Sequence, residues 1–405
     1  MARDSKHGVG RLAGSLRRVR ARTGLWRRTF YGLLGAGVVI FCLAAWPFTK
    51  AHLQAVAVLR EVSGQPVPVY ARGLTVPVTI EDFSFPTETA NGQQQVRARL
   101  YLPVNRPNAP AMVIFHGVHH LGIDEPRLMG FAAAMASCGI RVLTPELPGI
   151  KDYHVSKDSV HMIGESVKWY ATKTGGPVGV MGLSFAGGLS LVAASDPIYH
   201  PDFRFVFAVG SQDSMGRVAN YYLSGRDVRP DGSVEVLPAH EYGPLVLEYE
   251  HIEDFVPRRD VKRVRAVLRA HLYEDKKAEA DASLGLNERQ KLETLELMDA
   301  TSPEMRARIA AMTAKHTDEL PGLSPLGRLG TFSTPVYLLH GQADNIIPSA
   351  ETLWMASELP RADLKAMLVS PVLSHLDLDG AKPGAMDQWR LVHFFALVMN
   401  EAETR

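Results

Sequence analysis

Val180-Met181-Gly182-Leu183-Ser184-Phe185-Ala186-Gly187-Gly188 is an apolar run, begun at Val178, that stops at a Gly-x-Ser step and passes into a glycine-rich stretch resembling the start of a helix. A chain that turns from strand to helix within one residue brings the two elements into contact. The positions two before and two after the serine must therefore be small. Gly182 fills the first; Ala186 fills the second, with Gly187 next to it. Working outward, a hairpin of strands at 76–85 and 96–102 flanks the Asn91-Gly92 turn. Short apolar strands follow at 112–115, 141–143, 178–181, 205–209, 336–339 and 364–369, and helical periodicity appears at 126–137, 159–172, after Ser184 and at 387–399. This alternation predicts an α/β chain with a mostly parallel sheet and helices on both faces.

The interval 225–329 breaks the alternation, being far longer than a usual crossover. Val261, Val264, Leu268 and Leu272 recur at helical spacing, as do Met305, Ile309 and Met312, and Ser302-Pro303 reads as a cap and first-turn pair. A helical cap insertion at 225–329 is expected between core segments 76–224 and 330–405.

The overall charge of +1 conceals an asymmetry: residues 1–28 hold nine Lys or Arg against Asp4, a net of +8, which leaves the rest at −7. Such a body repels a phosphate backbone, so nucleic acid is not an expected partner. Residues 29–49 carry no charge; these 21 residues span about 31 Å as a helix, close to the thickness of a bilayer core. The expected order is a basic cytoplasmic tail at 1–28, a transmembrane helix at 29–49 and a stalk at 50–75. The positive-inside rule places the body outside the cytoplasm. The alternative is export followed by cleavage, since Arg27-Arg28-Thr29-Phe30 resembles a twin-arginine motif and Ala55-Val56-Ala57 a cleavage site. The two cysteines, Cys42 and Cys138, do not form a disulfide framework.

Three further stretches place polar residues just past apolar strands. Met112-Val113-Ile114-Phe115-His116-Gly117-Val118 ends in His-Gly. Pro335-Val336-Tyr337-Leu338-Leu339-His340-Gly341-Gln342-Ala343-Asp344 ends in an aspartate, and Ser370-Pro371-Val372-Leu373-Ser374-His375 delivers a histidine 31 residues beyond it. With the Gly-x-Ser step, this order of Ser, Asp and His resembles the α/β-hydrolase superfamily, over about 76–399. The resemblance implies an α/β-hydrolase fold with Ser184 as nucleophile, His375 as base and Asp344 as the acid that orients it. It also implies an oxyanion hole from the backbone N–H of Phe185 and that of Gly117 or Val118. Asp213 is the alternative acid, because some members place it after the preceding strand. His116, Tyr242 and Leu245 are expected in the substrate pocket, with 240–247 as its lining. His116, His119 and His120 read as loop residues, and neither a metal nor a cofactor is expected.

The activity implied by the resemblance is cleavage of carboxylic esters through an acyl-serine intermediate, with a small acyl substrate and the membrane at 29–49 as partners. A peptidase or acyltransferase on the same triad is the alternative. Glu241, Glu250 or Asp254 would then recognise a charged group. A membrane-tethered interaction module without turnover is the alternative of another class. Oligomeric state is left open.

Overall fold

The computed structural model describes residues 7–89, 92–299, 302–373 and 384–404, apart from the side chains of 7–29, Gly32 and Thr89. The chain divides into two compact units, residues 1–51 and 52–405. In the first, helix α1 (His7–Val62) exposes Leu34, Val39, Phe41 and Leu43, each more than half accessible. The stretch Leu33–Val62 is long and apolar enough to cross a bilayer. A signal sequence has the same length and composition.

The second unit begins within α1. Residues through Val62 continue α1, and Gln54, Ala55, Ala57 and Val58 are buried. The amide of Gln54 donates to the Cys138 carbonyl at 2.8 Å and to Glu403 Oε1 at 2.9 Å. The small side chains of Ala55 and Ala57 allow this close approach, and a polar residue so buried needs such partners. A short helix α2 (Val69–Arg72) then leads into the sheet.

Strands β1 (Val78–Thr89) and β2 (Gly92–Pro103) pair antiparallel along their whole length. Strand β3 (Ala111–Phe115), helix α3 (Pro126–Ser137), strand β4 (Arg141–Pro145) and helices α4 (Pro148–Lys151) and α5 (Lys157–Thr174) follow. Next come β5 (Val178–Leu183), α6 (Phe185–Ala194), β6 (Phe203–Val209) and α7 (Met215–Ser224). The intervening segment opens with a hairpin that the sequence pattern does not reveal, β7 (Arg226–Val228) with β8 (Val234–Val236). It continues through α8 (Tyr242–Glu250), α9 (Arg258–Leu272), α10 (Lys276–Leu284), α11 (Glu288–Leu297) and α12 (Pro303–Lys315). Strand β9 (Val336–Gly341), helix α13 (Ala350–Glu358), strand β10 (Leu364–Ser370) and helix α14 (Ala385–Glu403) complete the chain.

The eight-stranded sheet has the order β1-β2-β4-β3-β5-β6-β9-β10. It is antiparallel through β2 and parallel from β4 onward. Its central strands are apolar runs because both faces are covered. On one face Val113, Val180, Val206 and Leu338 pack with residues of α5, α6 and α13. On the other, the Phe207 ring lies 5.5 Å from Phe394 and 5.8 Å from Phe395 of α14. The segment between β6 and β9 has an apolar cluster of its own, built on Val264, Leu268, Leu297, Met305 and Ile309. Tyr153, from the loop after α4, enters that cluster and donates to the Leu272 carbonyl at 2.6 Å.

Candidate active site

Ser184 is the single residue between β5 and α6, with φ 55° and ψ −134°. Residues with side chains rarely occupy this region, and such strain persists where the surroundings over-determine it. Here they do: the Ser184 N–H donates to the Val209 carbonyl at 2.8 Å. A methyl on Gly182 would run into the backbone of Gly187, and one on Gly187 into Ser211. The close strand-to-helix contact is therefore made by Gly187. Ala186, one residue earlier, is accommodated in the buried first turn of α6.

Sheet register brings the motif ends to one edge. Leu183, Val209 and Leu339 are aligned across β5, β6 and β9, and Gly341 is aligned with Ser370 across β9 and β10. The chain therefore leaves toward Ser184 and Asp344 at the carboxyl edge of the sheet, where open α/β sheets bind ligands. His375 itself lies outside the described residues. Leu373, two residues before it, lines the cavity that contains Ser184.

Asp344 is fully buried. Its Oδ1 accepts from the N–H groups of Ile346 at 2.9 Å and Ile347 at 3.0 Å. Its Oδ2 lies 3.3 Å from His340 Nε2, which also donates to the Ile347 carbonyl at 2.9 Å. Thr352 Oγ1 meets the other ring nitrogen at 2.7 Å. His340 is thus a support of the Asp344 loop that the sequence reading overlooked, although it stands in the same motif. The alternative acid, Asp213, is ion-paired with Arg217; neither it nor Asp344 lines the cavity. Burial pushes its pKa up to about 7 despite the opposing arginine.

A cavity of about 350 Å³ extends from Ser184 along the loop 116–118. His116 is buried, and burial pushes its pKa down to about 4. Its Nε2 accepts from the Leu147 N–H at 2.9 Å, so Nδ1 carries the proton and donates to the Gly117 carbonyl at 2.8 Å. Both nitrogens are engaged with backbone, and the ring serves as a strut within the cavity wall. In a trans peptide N–H and C=O point in opposite directions; the Val118 N–H is therefore directed away from His116. The next carbonyl, that of Val118, accepts from the Tyr242 hydroxyl at 2.8 Å, and burial pushes the pKa of that phenol well above its ordinary value.

Of the expected lining, His116, His240 and Tyr242 face the cavity. Leu245 does not; it packs in the apolar cluster between β6 and β9, because α8 turns that side of its first turns inward. Gly243 abuts the Tyr222 ring. Glu274, absent from the expected set, does line the cavity, with φ 56°. Among the described residues, the side chains close enough to share an ion are His251, His316 and Glu319, within 4.8 Å of one another. His316 already bridges Asp254 at 2.6 Å and Glu319 at 3.0 Å, and these ion pairs account for the grouping.

No family model matches the chain, and no curated protein matches it in sequence. Among solved structures it is similar to acylaminoacyl peptidase from Pyrococcus horikoshii, with 14% identity over 73% of this chain and a TM-score of 0.38. The chain spans 38% of that peptidase's length. It is also similar to the hyperthermophilic esterase from Pyrobaculum calidifontis, with 14% identity, 86% and 88% of the two chains covered and a TM-score of 0.46. A third such structure is 2-hydroxy-6-oxo-6-phenylhexa-2,4-dienoate hydrolase from Rhodococcus sp. strain RHA1, with 18% identity, coverage of 78% and 99% and a TM-score of 0.39.

Proposed function

We propose that this chain, an α/β-hydrolase by fold, is a membrane-anchored serine hydrolase that cleaves carboxylic esters through an acyl-serine intermediate. The observation that carries the reading is Ser184, held at φ 55° on the carboxyl edge of the sheet and open to a cavity. In the reaction His375 takes the Ser184 Oγ proton as Oγ bonds to the ester carbon. The carbonyl electron pair moves onto oxygen, where the N–H groups of Phe185 and Val118 receive it. Phe185 opens α6, so its N–H has no intrahelical acceptor. The strut from His116 to the Gly117 carbonyl favours Val118 over Gly117 as the second donor. Collapse expels the alkoxide, which His375 protonates, and water then repeats the sequence on the acyl-enzyme. Asp344 orients the imidazole and stabilises its cation without taking the proton. The segment from β7 to α12 acts as the cap.

Glu241, Glu250 and Asp254 do not line the cavity, which supports an ester over an aminoacyl substrate. Glu274 favours a second reading, in which that carboxylate meets a substrate amine. Retention of the N-terminal helix is supported by the burial of Ala55 and Ala57, which a leader peptidase would need in extended, accessible form, and the body is placed outside the cytoplasm by the +8 segment before the apolar run. Treatment of the full chain with a fluorophosphonate, followed by mass spectrometry, tests the central claim. Ser184 should carry the label and Ser184→Ala should abolish it; labelling that persists in that variant would remove the nucleophile.

A further inference from the structure

The wall of the cavity around Ser184 has two parts of unlike chemistry. One, toward the cap, holds Tyr153, Tyr242 and Glu274. The other holds Leu59 and Val62 from the end of α1, Leu128 and Phe131 from α3, Leu373, and Phe395 from α14. These elements are held together independently of any ligand. Glu61 accepts from Ser137 Oγ at 3.3 Å, Gln54 binds the Cys138 carbonyl, and the Phe131 and Phe395 rings lie 6.1 Å apart. Leu128 and Phe395 are buried, while Leu59, Val62 and Phe131 are partly so. These six residues are apolar, and Glu125 and Arg127, which also line the cavity, are paired with each other at 2.7 Å, so a hydrocarbon chain seated among the six leaves no buried polar group unpaired. It gains the full benefit of leaving water.

We infer that the substrate is an ester of a medium-length, unbranched acyl chain, and that the chain lies in this arm between α1, α3 and α14. The inference rests on the hydrolase reading above and gives it a substrate class. Length follows from volume. At about 30 Å³ for each water-sized group, the whole cavity of about 350 Å³, its cap side included, holds roughly a dozen non-hydrogen atoms, which is an upper bound on the chain. Octanoyl and decanoyl groups fit; palmitoyl exceeds the space, and acetyl leaves most of it unfilled. Leu59 and Val62 are specificity-determining residues on this account, although they belong to the helix that begins as the N-terminal apolar segment.

The test uses the full chain in lipid nanodiscs and a series of p-nitrophenyl esters from acetate to palmitate. The wild type should show its highest kcat/KM at octanoate or decanoate, at least tenfold above both ends of the series. Leu59→Trp and Val62→Trp each fill the arm and should lower the octanoate-to-acetate ratio at least tenfold. Phe131→Ala enlarges the arm and should move the optimum to a longer chain, which guards against a tryptophan variant that fails to fold. A ratio unmoved by all three variants, with Ser184 still labelled by fluorophosphonate, overturns the inference and leaves the hydrolase reading standing. If Ser184 takes no label, calorimetry with decanoate, corrected for empty nanodiscs, decides the arm separately. Binding weakened at least tenfold by Leu59→Trp supports it, and binding that is absent or unchanged overturns it.

Discussion

The hydroxyl of Tyr242 donates a 2.8 Å hydrogen bond to the carbonyl of Val118, joining the first residue of α8 to the loop that faces Ser184. With the His116 bond to Gly117, it fixes two successive peptide planes from opposite ends. A loop aligned before reaction needs no reorganisation when charge develops on the substrate oxygen.

Tyr242→Phe should therefore reduce turnover more than binding. One hydrogen bond of about 1 kcal/mol corresponds to a fall of about fivefold in kcat, with KM nearly unchanged. Steady-state kinetics on an octanoate ester measure it, and a rise in KM at constant kcat would reassign Tyr242 to substrate contact.

Asp344→Asn keeps the shape of the buried group but favours the wrong histidine tautomer, and should cost three to four orders of magnitude in kcat, on the order seen for a triad acid. Asp213→Asn removes one partner of Arg217, which keeps its 2.8 Å bond to Glu351. Burial disfavours the ionised form of Asp213, so that change should not lower the melting temperature at pH 8 and should leave kcat within a few fold. The reverse ranking would move the acid to the loop after β6.

Glu248 is fully buried, neither of its carboxylate oxygens meets a hydrogen-bond donor among the described residues, and burial pushes its pKa up to about 9. The folded state thus holds it neutral while the unfolded chain ionises it near its ordinary value. Its contribution to stability is fully present below about pH 4.5 and is lost as pH rises toward about 9. Glu248→Gln should raise the melting temperature at pH 8 and change it little at pH 4.5, as differential scanning fluorimetry would read. Equal shifts at both pH values would assign the effect to packing.

A reporter active only outside the cytoplasm, fused after Arg405, should be active, because the +8 segment precedes the apolar run. Activity of a cytoplasmic reporter at that position would invert the orientation.

The sheet was legible because its signals are local. Buried parallel strands are apolar runs, and the polar residues just beyond them stand at the carboxyl edge whatever the rest of the chain does. Ser184 and Asp344 follow from that rule. The lining was less legible, since α8 is apolar on several sides: Leu245, Val246 and Tyr249 all enter the apolar cluster between β6 and β9. Which side meets the cavity depends on how the helix is set down, and spacing does not encode that. The β7–β8 hairpin, three residues a strand, is too short to establish a period. The packing of residues 52–62 was not legible for another reason: continuity with an apolar helix hid the alanines that mark a packed surface.

The burial of Gln54, Ala55, Ala57 and Val58 has a practical consequence for shortening the protein. A chain begun at residue 63 would lose more than its N-terminal apolar helix. It would uncover the Cys138 carbonyl, remove the bond from Gln54 to Glu403, and open one side of the cavity where Leu59 and Val62 stand. A soluble version should begin before residue 52, and an altered acyl preference in a shorter one would report the missing wall rather than the missing membrane.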